Sequence, residues 1–301
     1  MKTLISIIGS TGIGKTKLAI EIAKHFDTEI ISCDSRQFFK EMKIGTATPS
    51  KEELAQVKHH FVGNLSVTDY YSIGQYETDA LQKLEEIFQE KDIAVLVGGS
   101  MMYEKAVAEG LNDLPEANAE NQEKLQKIWD EEGLEKLQQI LENLDEEYYN
   151  VVHKENPRRL LRAIDVIWQT GRKYSEIIAE PKHKRNFRMV RIGIKAPREI
   201  MYKKINQRVD KMLENGLLEE VKTLTEYRNL VPLQTVGYTE IFKYLDGIWD
   251  LDFAVEEIKK NSRRYAKRQE TWNKKVENVI WLNYDYSAED LKHFLESQII
   301  K

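Results

Sequence analysis

Apolar residues fall along this chain in two rhythms. Short unbroken runs occur at Leu4–Ile8, Glu29–Cys33, Ile93–Val97, Val190–Ile194 and Val279–Leu282. Runs of this length without polar alternation suit strands covered on both faces, as in a parallel sheet. Between them the spacing changes to threes and fours. Lys15–Phe26 puts Leu18, Ile22, Ala23 and Phe26 on one helix face, and Ser50 with Glu53 forms a capping box that opens another helix. Pro197 starts a long helix whose buried stripe is Ile205, Val209, Met212 and Leu213, interrupted near Gly216. Strands alternating with helices predict an α/β fold.

From residue 114 to 187 the rhythm breaks. The stretch is rich in Glu, Gln, Leu and Lys, as in "NQEKLQKIWDEEGLEKLQQILENL", and holds no strand-like run. It reads as a helical insertion domain at 114–187, carried by a core made of 1–113 and 188–301. Composition adds limits. The 301 residues are 41% hydrophobic and 32% charged, as expected of a soluble globular protein. No apolar run is long enough to span a membrane, and the opening residues lead to the expectation of no secretory leader. Cys33 is the single cysteine, which excludes an internal disulfide framework and any Cys-based zinc module. A reducing cytoplasm and a monomeric state are expected. With a net charge of −5, any affinity for nucleic acid must come from local basic surface.

The first strand runs into Gly9-Ser10-Thr11-Gly12-Ile13-Gly14-Lys15-Thr16, which fits G-x-x-x-x-G-K-[ST] between a strand and a helix. Backbone N–H groups, the helix N-terminus and Lys15 are suited to a di- or triphosphate, and the Thr16 hydroxyl to Mg²⁺. The expectation sharpens to a P-loop NTPase-like parallel sheet flanked by helices. A nucleotide hydrolase would also need an acid at a neighbouring strand end. Here "DIAVLVGGS" ends in Gly98-Gly99-Ser100, and the acid, Asp34, closes a different strand. One carboxylate facing the loop fits a reaction in which a nucleophile loses a proton while diphosphate departs.

Seven segments occur in order: "GSTGIGKT", "DSRQFFKEMKIGTATPS", "LVGGSMMYEKAV", "NPRRLLRAIDVIWQTGRKYS", "RVDKMLENGLLEEV", "TVGYTEIFKYLDG" and "RRYAKRQETW". Together they closely resemble the bacterial tRNA dimethylallyltransferases (tRNA isopentenyltransferases) over nearly the whole chain. The resemblance implies transfer of a dimethylallyl group from its diphosphate to N6 of the adenosine just 3′ of the anticodon, with Mg²⁺ as cofactor and the anticodon stem-loop of tRNA as partner. It further implies Asp34 as general base, Arg208 on the diphosphate, and Ser100, where the family usually has threonine, near the target base. Ser35, Arg36 and Gln37 would hold the extruded adenine and its flanks, with Phe38 and Phe39 read as core aromatics rather than base platforms.

Further tRNA contacts are implied for Arg158, Arg159, Leu160, Leu161 and Arg162, where Arg158 replaces a family glutamine, and for Gln234, Thr235, Val236, Gly237, Tyr238 and Thr239. Gln122 stands where the family commonly has a tRNA-contacting arginine, which weakens that contact. The densest positive segment, "KKNSRRYAKRQETWNKK", holds Lys259, Lys260, Arg263, Arg264, Lys267, Arg268, Lys274 and Lys275 against Glu270; it suits a phosphate-backbone track. Tyr265 and Trp272 within it, and the adjacent His59-His60, read as structural. The competing readings are a small-molecule kinase, an RNA-binding protein with a relict loop, and a prenyltransferase of free AMP. The insertion and the basic patches disfavour the first and the last.

Overall fold

The structure is a computed structural model that describes residues 1–299. The chain divides into two compact units, Met1–Ala108 with the chain from Arg185 onward, and Glu109–Lys184.

In the first unit, β1 (Thr3–Ile8) leads into α1 (Lys15–His25), then β2 (Ile30–Ser32), α2 (Lys51–Leu54) and β3 (His59–His60). α3 (Ile73–Glu90), β4 (Ile93–Val97) and α4 (Met101–Glu109) follow. The second unit holds α5 (Ala119–Leu144), α6 (Glu146–Val151), α7 (Pro157–Thr170) and α8 (Tyr174–Ala179). The chain then resumes with β5 (Arg188–Lys195), α9 (Arg198–Glu214), α10 (Leu217–Thr223), α11 (Tyr238–Leu245), α12 (Leu251–Asn273), β6 (Val279–Asn283) and α13 (Ala288–Gln298). The five expected strands all form. The sixth, β3, is a two-residue edge strand, too short to leave a periodic signal.

The sheet order is β3-β2-β4-β1-β5-β6, every neighbouring pair parallel. Alternate residues of each strand feed opposite faces. Ile5, Ile7, Val95 and Val97 pack with Leu18 and Ile22 of α1 and Leu291 and Leu295 of α13. Leu4, Ile31, Ala94 and Leu96 pack with Tyr76, Ala80 and Leu84 of α3. With both faces covered, β1, β2 and β4 are buried runs, whereas β3 and β6 at the edges are only partly covered. A separate apolar cluster joins α9 to α12 with the segment after β2, through Met42, Val209, Leu217, Tyr238, Ile241 and Ile258. It holds that layer over the carboxyl ends of β1, β2 and β4, where an open α/β sheet takes its ligand.

Residue-level expectations are met with small shifts. Pro197 precedes α9 as its N-cap, and the Ser50–Glu53 capping box is present. Phe38 is buried against the Tyr76 ring, centroids 5.2 Å apart, and Phe39 is buried in the second cluster. His60 pairs with Glu29, and the His59 Nδ1 meets the Val57 carbonyl, so both serve the fold.

The helical unit has its own core of Leu125, Leu137, Leu141, Leu160, Ile164 and Ile167. α5 breaks at Gly133, where φ is 80°. The fully buried Asp145 is satisfied by the N–H groups of Tyr148 and Ser175 and by the Ser175 hydroxyl, which ties α6 to α8. Asp165, also buried, accepts from Arg162, Asn121 and Gln169.

Candidate active site

Three carboxyl strand ends build the site. After β1 the glycine loop wraps, with Gly14 at φ 112° as the N-cap of α1. Among the described residues no side chain caps that helix, so its first N–H groups face the cavity. Lys15 Nζ donates to the Gly9 and Ser10 carbonyls at 3.0 and 2.9 Å, folding the lysine over its own loop. Burial pulls its pKa down to about 8, with Asp34 opposing the shift and Arg208 adding to it.

After β2 comes Asp34. Its Oδ1 accepts from Arg36 N at 3.3 Å and its Oδ2 from Gly99 N at 3.2 Å. Strand β4 ends in a glycine pair, and at Gly98 no side chain fits. A Cβ on Gly98 would lie 2.4 Å from the Cys33 carbonyl carbon, and one on Gly99 would lie 2.9 Å from Asp34 Oδ2. Ser100 Oγ accepts from Ser35 N at 3.0 Å and shares a hydrogen with Ser35 Oγ at 2.8 Å. Gln37 Nε2 donates to the Thr46 and Ala47 carbonyls, and Arg208, reaching in from α9, donates to the same Thr46 carbonyl at 2.9 Å. In this structure Gln37 therefore holds the 46–47 backbone.

Two cavities meet at the acid. One, of about 250 Å³, is lined by Thr11, Gly12, Gly14, Lys15, Thr16, Asp34 and Arg208, among others. The other, of about 280 Å³, is walled by Ser35, Arg36, Ser100, Thr235, Val236, Gly237 and Tyr265, and again by Thr11, Asp34 and Arg208. A carboxylate and a guanidinium thus border both a phosphate-type cradle and a second polar chamber. Burial lowers the Arg208 pKa while Asp34 acts against that shift; the guanidinium keeps its charge at neutral pH.

Other expected contact residues lie elsewhere. Gln234 is exposed, whereas Tyr238 is buried with its hydroxyl donated to Glu220 at 2.7 Å. Thr239 is half-buried, its hydroxyl on Glu240. In the helical unit Arg158, Arg159 and Gln122 are exposed, Leu160 is fully buried and Leu161 half-buried. Arg162 is held by Asp165 and the Pro115 carbonyl, so its guanidinium serves the unit's own packing. In the basic segment, Lys259 is paired with Asp210 and Glu256, and Lys260 with Glu257. Arg264, Lys267, Arg268 and Lys275 instead line an open groove of about 400 Å³ with Trp272.

Two residues of the "RRYAKRQETW" segment, Tyr265 with its structural reading and the unassigned Gln269, reach the site. Tyr265 lines the second chamber and donates to the Gly99 carbonyl at 2.8 Å. Gln269 bridges Thr11 N and the Gly99 carbonyl at 2.8 Å each. The signal available in sequence was an uncharged Gln inside a dense basic run, masked by the charges around it.

A parallel α/β sheet with a glycine loop after its first strand, and one acid between loop and chamber, defines a phosphate-gripping enzyme of the group-transfer class. Residues 37–276 match the family model described as IPP transferase. The chain is 48% identical over 296 residues to the tRNA dimethylallyltransferase of Christiangramia forsetii, covering 98% of each. The solved tRNA isopentenylpyrophosphate transferase of Bacillus halodurans is 32% identical, with a TM-score of 0.72, over 99% of this chain and 96% of that one. A solved eukaryotic dimethylallyltransferase acting on tRNA is 26% identical, with a TM-score of 0.84, over 100% of this chain and 80% of that one. The chain belongs to the IPP transferase family, the tRNA dimethylallyltransferases.

Proposed function

We propose that this chain, a prenyltransferase that transfers a dimethylallyl group to tRNA, takes that group from dimethylallyl diphosphate and places it on N6 of the adenosine 3′ of the anticodon. The observation that carries the mechanism is that Asp34 and Arg208 border both cavities. Diphosphate in the loop cavity and adenine in the chamber would put the scissile C–O bond between Arg208 and the acid. The N6 lone pair forms the new C–N bond, the C–O electron pair leaves with the diphosphate, and the N6 proton passes to the Asp34 carboxylate. Lys15, Arg208 and the α1 N-terminus meet the charge that grows on the leaving oxygens.

Among the described residues no cluster of three His, Cys, Asp or Glu is placed for a metal. Among the residues lining the loop cavity, the half-buried Thr16 offers a hydroxyl oxygen beside the carboxylates of Asp34 and Glu53. That fits Mg²⁺, which binds through few protein oxygens and completes its shell with phosphate and water. When bound it would supply further positive charge to the diphosphate. Ser35, Arg36, Ser100 and the 235–237 segment suit the adenine and its flanks, and the exposed Arg158, Arg159, Gln122 and Gln234 suit the tRNA backbone. On this reading the helical unit grips tRNA. Among the described residues no helix is long and apolar enough to cross a membrane.

The test is Asp34→Asn, which keeps shape and removes the base. Transfer, read as a five-carbon adduct on adenosine by nucleoside mass spectrometry, should fall about 10²-fold or more, with tRNA binding kept. Near-normal transfer would remove Asp34 from the mechanism.

A further inference from the structure

A glycine pair at a catalytic strand end poses a physical problem. Gly98 is required by the close approach of β2 and β4, and Gly99 faces the Asp34 and Gln269 side chains, yet glycine imposes little on its own φ and ψ. The Gly99 N–H must nevertheless stay aimed at Asp34 Oδ2, 3.2 Å away. Something other than a side chain on residue 99 has to hold that backbone.

α12 supplies it. Gln269, 1% exposed, donates through Nε2 to the Gly99 carbonyl at 2.8 Å, and its Oε1 accepts from Thr11 N at 2.8 Å. Tyr265, one turn earlier, donates to the second lone pair of that carbonyl, also at 2.8 Å. The amide orientation is dictated by its partners, since Thr11 offers only a donor and Gly99 only an acceptor. A planar group with donor and acceptor on two atoms of one carbon is what such a bridge needs, and among side chains the amides of Asn and Gln carry one that stays neutral. The bridge joins the phosphate loop to the β4 end, and both to a helix more than 250 residues along the chain from the loop, at a separation of 258.

We infer that Gln269 is a positioning residue for the general base: by fixing the Gly99 backbone it keeps the Gly99 N–H on Asp34 and the carboxylate on its target. This rests on the assignment of Asp34 as the base. The ionisable groups around the bridge are Cys33, Asp34 and Arg36 at the β2 end, Lys15 on α1, Glu104 on α4, Arg208 on α9, and Tyr265 and Arg268 on α12.

The experiment compares Gln269→Leu, Gln269→Glu and Asp34→Asn in single-turnover transfer to tRNA, with binding of dimethylallyl diphosphate and of tRNA measured separately. Gln269→Leu removes both bonds and should slow transfer about 10- to 100-fold, the cost of a misplaced catalytic group, while both dissociation constants stay within about threefold. The carboxyl introduced by Gln269→Glu can donate to the Gly99 carbonyl only when protonated. Its rate should therefore approach the unsubstituted enzyme's as pH falls and drop toward that of Gln269→Leu as pH rises, a trend packing alone would not produce. The inference fails if Gln269→Leu transfers within about twofold of normal, if its loss appears wholly as weaker diphosphate binding through Thr11, or if Gln269→Glu keeps the unsubstituted pH profile. Should Gln269→Leu not fold, the Gln269→Glu profile decides. An inactive Asp34→Asn beside a normal Gln269→Leu overturns only this inference, whereas an active Asp34→Asn overturns the base assignment itself.

Discussion

Gly98→Ala is the most direct probe of how the site is assembled. The added Cβ would lie 2.4 Å from the Cys33 carbonyl carbon, 2.5 Å from Asp34 N and 2.7 Å from the Cys33 carbonyl oxygen. All three are backbone atoms, so no rotamer change relieves the overlap. Ordinary contact begins near 3.4 Å, so the ends of β2 and β4 must part by about 1 Å. Overpacking of this kind costs about 1–3 kcal/mol. Asp34, the proposed general base, moves with its strand, and a displacement of about 1 Å in a catalytic group costs on the order of 10² in rate. Gly99→Ala makes a useful partner. Its Cβ would meet Asp34 Oδ2 at 2.9 Å and Gln269 Nε2 at 3.3 Å, the ends of side chains that can give way. It should lose rate with less loss of stability. Urea denaturation paired with single-turnover transfer reads both quantities. A Gly98→Ala protein that is as stable as the parent and transfers at a comparable rate would refute the claim that Gly98 exists to let the two strands meet.

The remaining expectations concern charge. With the Lys15 pKa pulled down to about 8 by burial, kcat/KM for dimethylallyl diphosphate should decline as pH rises past about 8. Lys15→Arg, whatever rate it keeps, should lack that limb; a flat profile for the unsubstituted enzyme would contradict the shift. The linked stability contribution runs the other way. The folded pKa lies below the unfolded 10.5, so Lys15 disfavours the fold most below about 8, and this penalty fades as pH climbs toward 10.5. Arg158→Ala with Arg159→Ala should weaken tRNA binding and reduce the salt slope by about one for each phosphate left without its arginine, with little change in stability; filter binding across a salt series checks it. Arg162→Ala should instead destabilise the protein by about 1–3 kcal/mol, because Asp165 stays buried with one partner fewer. A tRNA-binding defect with unchanged denaturation would reverse that assignment.

Much of the fold was legible in sequence because its signals are local. A strand covered on both faces is largely apolar, so β1, β2 and β4 stand out as runs, while the partly exposed β5 and β6 carry shorter apolar runs. The phosphate loop is contiguous, and its backbone geometry demands glycine at fixed spacing. Asp34 follows its strand directly. The sequence also reads the charged stretch at 114–187 as helical, since nothing in it could pair as a strand; the second compact unit runs Glu109–Lys184.

Tertiary structure alone decided which residues share a wall with the acid and what each polar side chain is spent on. Tyr265 and Gln269 look like members of a basic helix, yet α12 packs so that both reach Gly99. Within a single motif, Arg159 is exposed while Leu160 is buried and Arg162 is engaged by Asp165; Tyr238, in another, is sealed against Glu220. The physical reason is range. Periodicity and turn chemistry act over a few residues and are written into the chain at that scale, whereas a hydrogen bond between residues 11 and 269 depends on packing assembled from every segment between them.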